Sequence, residues 1–171
     1  MNEYPIGSSL PRGGGLGRVT GTQEYLADIK LADALQVKMV TLDCARARIV
    51  SIDTSAALDV PGVRLVMTAA DLPQPVPRFG PHADDRPVLA VGQVNFHGEA
   101  VAAVAAETKE AAEEGARLVK VEYEELPAVY TVDAALDPGA FLVQDPAIRR
   151  SNDPLALTNK FSEHRFGWGD V

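Results

Sequence analysis

The chain has 171 residues, 46% of them hydrophobic and 23% charged, with a formal net charge of -8 and a single cysteine. This composition excludes a disordered or bilayer-spanning chain, and the acidity excludes a protein that tracks nucleic-acid phosphates with a basic stripe. Cys44 cannot form an internal disulfide, and the first residues lack a Sec-type signal, so the sequence reads as a cytoplasmic protein with one sizeable core.

From residue 1 to about 34 the chain reads as an extended arm with little to bury. Residues 9–21, SLPRGGGLGRVTG, hold five glycines and one proline. Gly13, Gly14, Gly15 and Gly17 suggest a phosphate cradle, but the dinucleotide fingerprint needs a strand before it and a helix after it. No apolar strand precedes Gly13, and Arg18 stands where the third glycine belongs. The arm is therefore read as lying on a partner surface.

The first structured block runs from about Leu35 to Leu72. Gln36 to Leu42 alternates like a strand, with Val37, Met39 and Thr41 on one face. Ala47 to Ile52 is a second strand, and Thr54-Ser55 is placed to cap a short helix through Leu58. Pro61-Gly62 makes a turn into a third strand, Val63 to Met67. Thr68 to Asp71 has the form of a capping box over one helical turn, stopped at Pro73. Between Pro73 and Pro87 lies a loop with five prolines, a functional connection or a packing strap.

Pro87 to Val129 carries the clearest pattern. Val101 to Ala106 is a continuous apolar run, as expected of a strand covered on both faces. Thr108 caps a helix on which Ala111, Ala112, Gly115, Ala116 and Val119 share one face. Lys109, Glu110, Glu113, Glu114 and Arg117 lie away from it. Lys120 to Glu124 then alternates as another strand. After Val129 the chain becomes irregular and ends in GWGDV, which leaves Trp168 near a terminus with little to cover it.

No catalytic constellation stands out. His82, Asp84 and Asp85 form the one cluster of His with carboxylates, but three ligands on a loop lack the paired spacing of zinc motifs. The expected role is a solvated loop or a subunit contact. His97 and Glu99 flank Gly98, and an acid/base pair is the sharper reading. A structural turn with special backbone angles at Gly98 is the simpler one and is preferred. Cys44, beside Asp43 and near Arg46 and Arg48, is expected to be an inert thiol.

In order, these blocks resemble the α/β hammerhead domain that opens the molybdopterin-binding large subunit of the xanthine dehydrogenase and aldehyde oxidase family. The matching pieces are Arg18-Val-Thr-Gly21, Tyr25-Leu-Ala-Asp28-Ile29, Ala45-Arg-Ala-Arg-Ile49, Ser51-Ile-Asp53, Pro61-Gly-Val63 and Met67-Thr-Ala-Ala-Asp71. Then come Asp85-Arg-Pro-Val-Leu-Ala90, Phe96-His-Gly-Glu99, Val101-Ala102 and Val121-Glu-Tyr-Glu-Glu-Leu-Pro127. Thr41-Leu-Asp-Cys44 and Arg46 depart from the family's Ser-Pro-His type sequence and His, and so give no help in choosing a substrate.

The resemblance implies an α+β, hammerhead-like fold: a small mixed wrapped sheet, short helices, one longer helix and extended arms at both ends. It implies an N-terminal arm over 1–17, the hammerhead domain over 18–131 and an irregular tail over 132–171 that leads toward cofactor-binding domains. Family members hydroxylate aldehydes or N-heterocycles with oxygen from water. Molybdenum on a pterin sits in the large subunit, and [2Fe-2S] clusters and FAD sit on partner domains or subunits. No catalytic, cofactor-binding or metal-binding residue is expected in these 171 residues, whose role would be to pack against the cofactor domains. Neither nucleic acid nor membrane is an expected partner. The alternative is a stand-alone module of the same fold that binds a small ligand or a partner. A hydrolase built on His82, Asp84 and Asp85 is a distant third.

Overall fold

Glycines with positive φ bracket the first element, α1 (Gly15–Thr20), with Gly14 at φ 68° and Gly21 at φ 72°. The computed structural model describes residues 7–80, 84–149 and 152–169. It divides into two units, Met1–Ala34 and Leu35–Val171. In the first unit the arm is not wholly extended, because six residues close into α1 and a 3-10 turn forms at Leu26–Asp28. Neither element buries a residue. Left-handed backbone comes readily to glycine, so Gly14, one of the glycines that suggested a phosphate cradle, instead starts a short helix that Gly21 stops.

Among the described residues, the second unit carries eight strands and three further α-helices, besides 3-10 turns at Ala69–Asp71 and Pro146–Ile148. In chain order they are β1 (Gln36–Thr41), β2 (Ala47–Asp53), α2 (Ser55–Leu58), β3 (Val63–Thr68), β4 (Arg78–Phe79) and β5 (Arg86–Pro87). They continue with β6 (Gln93–Val94), β7 (Ala100–Ala106), α3 (Lys109–Leu118), β8 (Lys120–Glu125) and α4 (Val132–Leu136). One sheet has the order β1-β7-β3 and a second β6-β2-β8, while β4 and β5 pair alone. All of these pairings are antiparallel. The strands flanking α3 therefore belong to different sheets, and α3 carries the chain from one sheet to the other.

The core lies between them. Val40, Val66, Ala102 and Val104 of the first sheet share one cluster with Ala47 and Val94 of the second and with Val119. Helix α3 packs on the first sheet through its small-residue face: a Cβ on Gly115 would come to 2.9 Å from Val104 Cγ1 and 3.0 Å from Val63 Cγ2. Thr108 Oγ1 accepts the amide of Ala111 at 3.2 Å, the expected cap. At α2 the cap is Asp53, not Thr54: its Oδ1 accepts the Ser55 amide at 3.0 Å and the Ser55 hydroxyl at 2.6 Å. The carboxylate is the stronger acceptor and lies within reach of both donors.

Two readings of the strands need correction. In β1 the inward set is Val40, continued by Leu42 and Cys44, whereas Val37 and Met39 are exposed. The parity is set by β7, where Ala102 is fully buried opposite Val40. Lys38 shares the inward parity but stays exposed near the end of the strand, where a long stem can cover apolar surface while its ammonium meets water. Strand β7 is not covered on both faces. Val101 is buried, but Ala103 and Ala105 remain partly open.

The tail is more ordered than its composition suggests. Asn159 donates to the carbonyls of Ala135 (3.0 Å) and Phe141 (2.9 Å) and accepts the amide of Val143 at 2.9 Å. Arg149 donates to Asp153 and to the carbonyls of Lys160 and Phe161. Two polar side chains thus satisfy backbone groups that no helix or sheet serves. Trp168 stays 89% exposed.

Candidate functional site

The turn at Phe96–Glu99 builds one wall of a cleft. Gly98 has φ 88°, the left-handed backbone that favours glycine, and the Glu99 amide donates to the Phe96 carbonyl at 3.2 Å. The turn sends its two titratable side chains apart. His97 lies outside and contacts Asp43, Nε2 to Oδ1, at 3.1 Å. Glu99 points inward, 5% exposed, with Oε2 accepting the Asn95 amide at 2.6 Å. The expectation of a structural turn holds, and the two residues form no acid/base pair. Burial pushes the Glu99 carboxyl above its ordinary value, against the pull of the Asn95 amide and of Arg78.

The cleft has a volume of about 710 Å³, with Glu99, Arg46, Arg78 and Asp85 on the body side and Val143 and Gln144 on the tail side. The Arg46 guanidinium lies 4.0 Å over the Phe141 ring and donates through Nη1 to the Pro127 carbonyl at 3.1 Å. Asp85 Oδ2 accepts from Gln144 Nε2 at 2.9 Å. These contacts fasten the tail to the body. Arg78 donates to the carbonyls of Asp84 (3.0 Å) and Asp85 (2.6 Å). Arg46 Nε is buried without a hydrogen bond, as is Asp85 Oδ1, whose ion pair with Arg86 Nε is 3.7 Å long. The cleft therefore offers guanidinium and carboxyl groups for polar binding, and no activated nucleophile.

Of the cluster His82, Asp84 and Asp85, His82 lies outside the described residues, and Asp85 spends its carboxylate on Gln144. No group of three His, Cys, Asp or Glu among the described residues is placed to hold a metal ion. Cys44 is buried, and burial followed by the charges of Glu125 and Asp43 raises its pKa. Arg48 pairs with Glu124 and Arg46 stacks on Phe141, so neither activates the thiol. No described helix is long and apolar enough to cross a membrane. Sequence reasoning missed the inward turn of Glu99: Gly98 signals the turn, but the inward aim rests on the Asn95 amide, which no sequence pattern reveals.

A second feature is a surface. Across the β1-β7-β3 sheet, Val37, Ala105 and Leu65 stand in one row and Met39, Ala103 and Met67 in the next. Val37 is 58% exposed, Met39 48% and Leu65 44%. The outer face of this sheet is thus apolar and open, with small residues down its middle strand and large ones on either side.

The sequence pattern of the "Aldehyde oxidase and xanthine dehydrogenase, a/b hammerhead domain" family matches residues 20–127. The chain is 40% identical over 132 residues to a probable xanthine dehydrogenase subunit of Bacillus subtilis, covering 77% of this chain and 18% of that protein. It is 37% identical to the xanthine dehydrogenase of Emericella nidulans over 94% of this chain and 12% of that one. Quinoline 2-oxidoreductase from Pseudomonas putida superposes with a TM-score of 0.70 at 38% identity, covering 81% of this chain and 19% of its own. The chain spans less than a fifth of the length of these relatives. It belongs to the α/β hammerhead domain family of aldehyde oxidases and xanthine dehydrogenases.

Proposed function

We propose that the chain serves as the structural hammerhead domain of a molybdenum hydroxylase large subunit, one that hydroxylates an aldehyde or an N-heterocycle with oxygen from water. The family match over residues 20–127 carries this reading. Names of similar proteins, from xanthine dehydrogenase to quinoline 2-oxidoreductase, support the reaction class. In this reading residues 18–131 are the domain, 1–17 an arm and 132–171 a tail that leads toward the cofactor-binding domains. Its partners are those domains and the iron–sulfur and flavin domains or subunits, in the cytoplasm.

The residues present do not fit the cofactors themselves. One buried thiol cannot ligate a [2Fe-2S] cluster, which takes four ligands. Gly14 precedes a helix of only six residues, a poor fit to the strand-to-helix phosphate cradle. The contribution of this chain is therefore packing. Its apolar sheet face and its fastened tail hold neighbouring parts in register, and no step of the reaction runs through its side chains.

The test is to purify the native gene product, measure molybdenum by mass spectrometry and assay dye reduction with aldehydes and N-heterocycles. Stoichiometric molybdenum with hydroxylase activity is expected. Turnover by residues 1–171 alone would sink the proposal. A second reading, a stand-alone module that binds a small ligand, draws on the cleft that holds Glu99. It predicts a metal-free native protein whose Asn95 and Glu99 amide resonances shift with ligand.

A further inference from the structure

Building on that reading, we infer that the outer face of the β1-β7-β3 sheet seats one α-helix with an apolar stripe, supplied by polypeptide of the same subunit outside these 171 residues. The shape of the face argues for a helix. Its middle strand presents Ala103 and Ala105, while the flanking strands present Val37 and Met39 on one side and Leu65 and Met67 on the other. Small residues between two rows of large ones make a trough. Neighbouring strands lie about 4.8 Å apart, so the two walls stand roughly 9.6 Å apart, close to the diameter of about 10 Å of a helix with its side chains. The two rows are two residues apart along the strands, roughly 6.8 Å, a little over one helical turn. Anchors at i and i+3 or i+4 would reach both rows.

Polarity agrees with shape. All six side chains are apolar, and an open apolar face on a folded unit marks a contact site. A sheet with one face on a core and the other bare is the unfinished form of a layered fold, which a helix completes. The face is also poorly matched to itself. A second copy would bring trough against trough, alanine floor over alanine floor, and two concave surfaces leave a void where an isologous contact needs self-complementarity. The source of the helix follows from length: the chain spans 18% and 12% of two relatives, so most of such a subunit lies outside it.

The test is hydroxyl-radical footprinting of the intact native protein, compared with the same protein unfolded in urea. Met39 is nearly half exposed here and in the open trough reacts within a few-fold of its unfolded rate; a seated helix slows it about tenfold or more. Ala105→Glu, which puts a charge on the floor, is expected to restore the reactivity of Met39. Ala105→Ser leaves the trough its shape and keeps the protection, which separates loss of docking from a failure to fold. Fast oxidation of Met39 in the intact protein overturns the inference. So does protection that disappears on dilution as a dimer dissociates, since the occupant is then a second copy. A molybdenum-loaded enzyme with an open Met39 refutes the trough alone. A molybdenum-free protein with a protected Met39 refutes the hydroxylase reading alone.

Discussion

The two three-stranded sheets share a core but meet their surroundings differently. On the outer face of β6-β2-β8, cross-strand partners are polar: Arg48 faces Glu124, Ser51 faces Glu122 and Asp53 faces Lys120. Arg48 and Glu124 form an ion pair, and the Ser51 hydroxyl donates to Glu122 at 2.9 Å. On the outer face of β1-β7-β3 the corresponding rows are Val37-Ala105-Leu65 and Met39-Ala103-Met67. The first face is finished against water and the second is not. Both sheets are antiparallel and three-stranded, so the contrast lies in the side chains their outer faces present.

Substitutions on the two sides of one sheet are expected to have unequal effects. Gly115 sits on the inner side, where a Cβ already meets Val104 and Val63 at about 3 Å. Gly115→Val is expected to destabilise by about 3 kcal/mol, because β-branched neighbours cannot swing aside. Ala105→Leu, on the outer side of the same sheet, is expected to change stability by less than about 0.5 kcal/mol in the isolated chain. Urea denaturation measures both. If Ala105→Leu costs as much as Gly115→Val, the outer face is already filled, and the contrast between the faces is lost. Thr108→Ala removes the cap of the helix that covers the inner side, and about 1 kcal/mol is the expected loss by the same measurement.

Titration sharpens the contrast, because a carboxylate beside each sheet shifts in the opposite direction. Glu99, just before β7, is raised by burial. Between its unfolded and folded values the folded state keeps a proton that the unfolded state has lost, so stability falls as pH rises through that window. Asp53, at the end of β2, is lowered by the Ser55 hydroxyl and amide and by Lys120. Its contribution is present above its unfolded value and is lost as pH falls through its folded value. Glu99→Gln should therefore flatten the decline on the alkaline side of the ordinary carboxylate range, and Asp53→Asn the decline on the acid side. Urea midpoints between about pH 3 and 7 distinguish them, and parallel curves for the two variants count against the assigned burial of Glu99.

Much of this fold was legible because its signals are local. The Thr108 cap, the Ala-Gly face of α3 and the Thr68–Asp71 box each lie within a few residues, and the box forms with the Thr68 amide and hydroxyl both donating to Asp71 at 2.8 Å. The parity of β1 was not legible. Val37, Met39, Val40 and Leu42 offer apolar residues on both faces, and only pairing with β7 decides which set goes inward. The bare face of β7 was hidden for a related reason: a run of Val and Ala reads alike whether covered on one face or two. In the cleft, the turn at Gly98 was readable and the inward aim of Glu99 was not, since it depends on the Asn95 amide. The tail was misjudged because Asn159 and Arg149 act on backbone groups 11 to 24 residues away, which no local pattern reveals.

A small coupling energy probes the finished face. Arg48 and Glu124 have side chains 61% and 58% exposed, so their charges interact largely through water. A double-mutant cycle with Arg48→Ala and Glu124→Ala is expected to return a coupling of about 0.5 kcal/mol at low salt, shrinking as salt is added. A coupling several times larger that survives salt would mean that the pair is shielded from solvent. The polar face of β6-β2-β8 would then also be a contact surface. The apolar trough would then lose its distinction, because charge pairing on the other sheet would no longer mark a face left to water.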